Sequence, residues 1–95
     1  MALRKDYSEK VVRITLQDGI PVPEQDPIVL KKGAEQLRWS APFEFQITIE
    51  GYDNLKYSTS EEFHCRTGQF DQEKRYKYTI HANGVDNDPN IDIKP

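Results

Sequence analysis

The sequence predicts one all-β domain: a two-sheet antiparallel, Greek-key sandwich of about seven short strands, with at most one short helix near residues 60–65. Three observations carry this. Apolar residues recur at every second position in several runs, the period of a half-buried strand. Proline, glycine and Asp/Asn turn pairs separate those runs at close spacing. At 95 residues the chain is long enough for one core and too short for two.

Residues 1–9 are polar and are expected to be loose, leaving 10–95 as the sandwich domain. Lys10 to Gln17 is the first strand, with Val12, Ile14 and Leu16 on one face and Val11, Arg13, Thr15 and Gln17 on the other. Asp18-Gly19 marks a turn. Pro21, Pro23 and Pro27 remove ladder donors and fix φ, so residues 21–27 form an extended connection or an edge strand; an edge guarded by proline favours a monomer. Ile28 to Lys31 is a short strand closed by Lys32-Gly33.

Gln36 to Ser40 places Leu37 and Trp39 on one face, and Pro42 ends that ladder. Phe43 to Gly51 alternates most clearly, with Phe43, Phe45, Ile47 and Ile49 against Glu44, Gln46, Thr48 and Glu50. A helix would scatter those four apolar side chains around its circumference. Ser58 with Glu61 and Thr59 with Glu62 form overlapping capping boxes, which predict one or two helical turns around Ser60 to Cys65. A short strand near Tyr57 competes with that reading.

Tyr76 to His81 is a strand with Tyr76, Tyr78 and Ile80 on one face; Asn83-Gly84 is a turn, and Asn90 to Lys94 closes the chain with Ile91 and Ile93 inward. The expected core is Val12, Ile14, Leu16, Ile28, Leu30, Leu37, Trp39, Phe45, Ile47, Ile49, Tyr78, Ile80, Ile91 and Ile93. Trp39 is its central plug, and its indole N–H needs one partner.

The strand Ile28-Val29-Leu30-Lys31-Lys32-Gly33 followed by Leu37-Arg38-Trp39-Ser40 resembles the strand, Lys-Gly, Trp-strand signature of cupredoxins. The closing strands Tyr76 to Ile80 and Asn90 to Lys94 resemble that family's last two. The resemblance covers about two thirds of the chain and implies a cupredoxin-like sandwich. It also implies that the copper ligands are replaced. Phe43-Glu44 stands where the family places its first histidine, and Ile80 stands where it places its cysteine. The only methionine is Met1, and Ala82, Asn83, Gly84 and Val85 occupy the stretch after Ile80. A blue-copper site needs two histidines, a thiolate and a weak axial donor at one point. An immunoglobulin-like sandwich is the alternative topology.

Composition bounds the function classes. The formal charge is −3, without the basic footprint of a nucleic-acid binder; the short groups Lys31-Lys32 and Lys74-Arg75 with Lys77 read as solvated surface. One cysteine, Cys65, permits no intrachain disulfide. The longest aliphatic run, Ile28-Val29-Leu30, is far below the ~20 residues of a membrane helix. MALRKDYSEK lacks the apolar core of a signal peptide, although a trimmed leader with an added Met would look the same; cytoplasm is the expected compartment.

Two constellations could carry metal chemistry. His64, Cys65 and His81 are the soft-metal candidates, but adjacent residues on an extended chain point opposite ways. Asp86, Asp88, Asn90 and Asp92 offer oxygen donors at alternate positions, like the opening of a calcium loop, with Ile91 where such a loop needs glycine. The bland readings are a buried Cys65 with surface histidines, and a polar turn running into a strand. Cys65 with His81 is the one nucleophile–base pair, and no motif supports it. Tyr52, Tyr57, Phe70 and Tyr76 would make a binding platform if grouped on one surface, and sandwich rim if scattered. The expectation is a non-catalytic binding module for a protein or small ligand, with no cofactor.

Overall fold

In the computed structural model, which describes residues 8–59 and 62–95, ten strands form two facing sheets. They are β1 (Ser8–Gln17), β2 (Ile20–Pro23), β3 (Ile28–Lys31), β4 (Glu35–Ala41), β5 (Gln46–Ile49), β6 (Leu55–Ser58), β7 (Phe63–Thr67), β8 (Arg75–Ala82), β9 (Val85–Asn87) and β10 (Asn90–Lys94). Sheet 1 runs β2-β1-β4-β7-β6. Sheet 2 runs β3-β10-β8-β5, with β9 also paired to β8.

The turn chemistry fixes two hairpins. Asp18-Gly19 has φ of 54° and 79°, and Asn83-Gly84 has 56° and 71°. Positive φ at both central residues defines the two-residue turn whose twist matches the flanking strands, and Asp-Gly and Asn-Gly supply it at least cost. The first turn sets Gln17 opposite Ile20, and the second sets Ala82 opposite Val85.

The alternation seen in the sequence becomes the interior. Val12, Ile14, Leu37, Trp39 and Cys65 face inward from sheet 1. Ile28, Leu30, Ile47, Ile49, Tyr78, Ile80, Ile91 and Ile93 face inward from sheet 2. Each fully buried Ile or Leu stabilises the fold by about 1.5–3 kcal/mol before entropy is charged against it. Trp39 Nε1 donates to the Tyr78 hydroxyl at 3.2 Å, so the central indole finds its partner on the opposite sheet.

Several expectations need correction. The sheets are mixed rather than antiparallel: β1 pairs β4 in parallel, and β10 pairs β3 in parallel. Ten strands replace seven, since β2, β6 and β9 are short segments with little alternation of their own. The helical turns expected over Ser60 to Cys65 are not formed from Phe63 onward, where β7 pairs with both β4 and β6; Ser60 and Glu61 lie outside the described residues. Two strand neighbours outweigh a capping box, because each β7 backbone group gains a partner across the sheet. The short strand near Tyr57 is β6.

The strand expected from Phe43 shortens to Gln46–Ile49, with Phe43 half-buried against the core from the loop before it. Leu16 is 42% exposed, because β1 runs past the end of the core into the hairpin. Phe70 and Tyr76 are buried, with Tyr52 stacked on Phe70 at 4.5 Å and Tyr76 5.1 Å from Phe70. β1 begins at Ser8, and the loose segment expected before it otherwise lies outside the described residues, save Ser8 and Glu9.

Candidate interaction site

The soft-metal candidates are distributed over both sheets. His64 and Cys65 are neighbours in β7 of sheet 1, and His81 lies in β8 of sheet 2. Cys65 points inward between Trp39 and Tyr57 and is fully buried; burial pushes its thiol up to about 12. Such a thiol stays protonated at neutral pH and is a poor nucleophile. His64 points the other way, beside Ser40, with its Nδ1 buried and without a hydrogen-bond partner. His81 is exposed and bonds Asp86 through Nδ1.

The carboxylates of Asp86, Asp88 and Asp92 are each engaged separately, and Asn90 is held through its backbone. Asp86 takes His81, and Asp88 accepts the Thr79 hydroxyl at 2.8 Å. The Asn90 backbone N–H donates to Asp26 at 3.1 Å. Asp92 is gripped by Arg75 through two bonds of 2.6 and 2.9 Å, which hold its carboxyl below the ordinary carboxylate value. Among the described residues, no three His, Cys, Asp or Glu side chains gather closely enough to hold a metal ion.

The four aromatics do not form a surface platform. Tyr52, Phe70 and Tyr76 make an inward cluster at one end of the sandwich, while Tyr57 stands apart on β6.

What the fold does bring together lies at the β6 border of sheet 1. Sheet 1 ends at β6 and sheet 2 ends at β5. Tyr57 joins these two borders. Its hydroxyl accepts the Ile47 N–H at 2.9 Å and donates to the Ile47 carbonyl at 3.1 Å, satisfying two groups on β5 that would otherwise be unpaired. Burial raises the Tyr57 phenol above its ordinary value, so it keeps its proton for that second bond. Beside it opens a cleft of about 240 Å³, lined by Glu44, Phe45, Gln46, Tyr57, Ser58, Thr59, Phe63 and His64.

β6 itself is paired on one side only. Its neighbour is β7, with Lys56 opposite Arg66 and Ser58 opposite His64. Lys56, Tyr57 and Ser58 are exposed, and the strand contains no proline. The other border of sheet 1 is guarded differently: β2 carries Pro21 and Pro23, and the Asn87 side chain donates to the Pro21 carbonyl at 2.9 Å. The sequence does not expose this contrast, because β6 lacks a strong alternating pattern. The sequence offers a short strand near Tyr57 and a loose aromatic there, but neither tells that its hydroxyl meets β5. No protein-family model matches the chain, and no curated protein is significantly similar to it.

Proposed function

We propose that this domain is a non-catalytic interaction module, cupredoxin-like in architecture and without copper, that takes an extended segment of a partner protein along β6. The carrying observation is the asymmetry of sheet 1: proline and a side-chain clamp guard the β2 border, while β6 is exposed, short of one neighbour and free of proline. An unguarded border offers main-chain donors and acceptors to a further strand, and natural sheets ordinarily blunt such borders. The cleft beside Tyr57 supplies a place for one side chain of that segment.

The cupredoxin-like reading rests on the Trp39 strand, the loop that follows it and the strand after that loop. Phe43 packs against the core and Ile80 is fully buried, so apolar contact fills the two positions the family gives to copper ligands. A buried aliphatic side chain there contributes packing, and no donor atom.

Selection of random ten-residue peptides on the immobilised chain tests the proposal. The expected result is enrichment of extended, strand-forming peptides that are lost when proline replaces Lys56 or Tyr57. A selection that yields nothing above background, or peptides that bind these variants as well as the parent, would refute it.

A further inference from the structure

Resting on that reading, we infer that the partner segment is acidic and that its carboxylates sit on the outer face of sheet 1. The register places Lys56 of β6 directly opposite Arg66 of β7, and Arg66 directly opposite Arg38 of β4. These three cations form one row across three adjacent strands, a span of roughly 10 Å at the usual strand spacing. All three alternate with inward residues, so they share the solvent face. Like charges directly opposite one another on a sheet are destabilising.

The molecule itself compensates only part of this repulsion. Glu9 reaches Arg38 at 3.4 Å and Arg66 at 3.5 Å, both longer than a good charged hydrogen bond. Among the described residues, no carboxylate lies within 4.0 Å of Lys56.

A second, independent observation marks the same face. Among the described residues, the buried side-chain nitrogens with no hydrogen-bond partner are Arg38 Nε and His64 Nδ1. They occupy adjacent cross-strand rows, Arg38 beside Arg66 and His64 beside Ser40. A chain with net charge −3 thus gathers Arg38, Lys56 and Arg66 next to its unguarded border, with Glu9 the one carboxylate among the described residues that reaches any of them. A strand added beyond β6 would bring every second side chain onto the face that Lys56 shares, one of them directly opposite Lys56 at about 4.5–5.5 Å between Cβ atoms, with Arg66 reaching over from the next strand. Glutamate or aspartate at the position opposite Lys56 continues the row, and neighbours two residues away stay on the same face. A row that runs across the strands and ends at Lys56 is continued by a side-chain carboxylate on the next strand, whereas a compact phosphate wants converging donors.

Three ten-residue peptides test this on the full chain: threonine alternating with glutamate, with serine or with lysine. The glutamate peptide should bind at least about tenfold tighter than the serine peptide at 50 mM salt, and that advantage should collapse at 0.5 M. Arg66→Gln with Lys56→Gln should erase the advantage of the glutamate peptide over the serine peptide and its dependence on salt. A melting curve of that variant confirms that it folds, and the salt series stands without any variant. If the serine and glutamate peptides bind equally, the acidic assignment is overturned and strand addition survives. If no peptide binds, both fall. If inorganic tripolyphosphate competes as strongly as the glutamate peptide, the face is a general anion site and the assignment of an acidic strand is overturned.

Discussion

Removing one oxygen atom probes the join between the two sheets. In Tyr57→Phe the ring remains, but the Ile47 N–H and carbonyl lose the hydroxyl that serves them at 2.9 and 3.1 Å. Each intramolecular hydrogen bond is worth about 0.5–1.5 kcal/mol net, which gives about 1–3 kcal/mol for the pair. Tyr57 is 52% exposed, so water can reach the vacated groups and the loss should sit in the lower part of that range, about 1–2 kcal/mol. For a domain of this size the melting temperature should fall by roughly 5–15 °C. Urea unfolding gives the free energy, and amide exchange at Ile47 gives the location. The variant should lose stability and exchange faster at Ile47. A change below about 0.3 kcal/mol with unaltered Ile47 exchange would refute the idea that this hydroxyl closes the border.

Three further outcomes follow from the same structure. Tyr78→Phe strands the Trp39 indole N–H in the core and should cost about 1–3 kcal/mol in urea unfolding, with a shift in tryptophan fluorescence; an unchanged midpoint would contradict the buried bond. Cys65 is held neutral by burial, with its thiol raised from 9.0 to about 12, so the stability it confers is complete below the unfolded value and fades as pH rises through this window. Unfolding curves of the parent and of Cys65→Ala should therefore converge between pH 9 and 12, by about 4 kcal/mol at most, and native Cys65 should resist alkylation at pH 8. Asp92 runs the other way. Arg75 lowers its carboxyl, so its contribution is present above the unfolded value near 3.8 and is lost as pH falls through the folded one. Asp92→Asn should weaken the protein at pH 7 and flatten its acid denaturation limb, and an identical acid limb would refute that pairing.

The architecture was legible because burial on one face writes itself as a period of two. Thirteen of the fourteen expected core residues are buried, and Leu16 fails only because alternation continues in β1 beyond the point where a second sheet covers it. What alternation cannot encode is which strand lies beside which. The parallel pairing of β1 with β4 and of β10 with β3 joins segments 27 and 63 residues apart at their first paired positions, Ser8 with Glu35 and Ile28 with Ile91. Phe70 was missed for a related reason: it is buried from an irregular segment, held between Tyr52 and Tyr76, where no local period exists.

The capping boxes near Ser58 and Thr59 misled for a physical reason as well. A helix of one or two turns is marginal unless tertiary contacts hold it, and here those contacts favour a strand. Phe63, Cys65 and Thr67 alternate inward, a signal present in the sequence but weaker than the capping pattern beside it. The cationic row was invisible for another reason. Arg38, Lys56 and Arg66 are far apart along the chain, and only the register of three strands makes them neighbours. Charge runs read along the sequence pointed instead to Lys31-Lys32 and to Lys74 through Lys77. Lys32 pairs with Glu73 and Arg75 with Asp92.

The most direct test of the central claim is amide hydrogen exchange of the intact chain, free and saturated with the tightest-binding extended peptide. The amides of Leu55 to Ser58 should include ones that exchange readily in the free protein and become protected in the complex, with the β2 border unchanged. Protection that appears at β2, or anywhere other than β6 and its neighbours, would contradict the account.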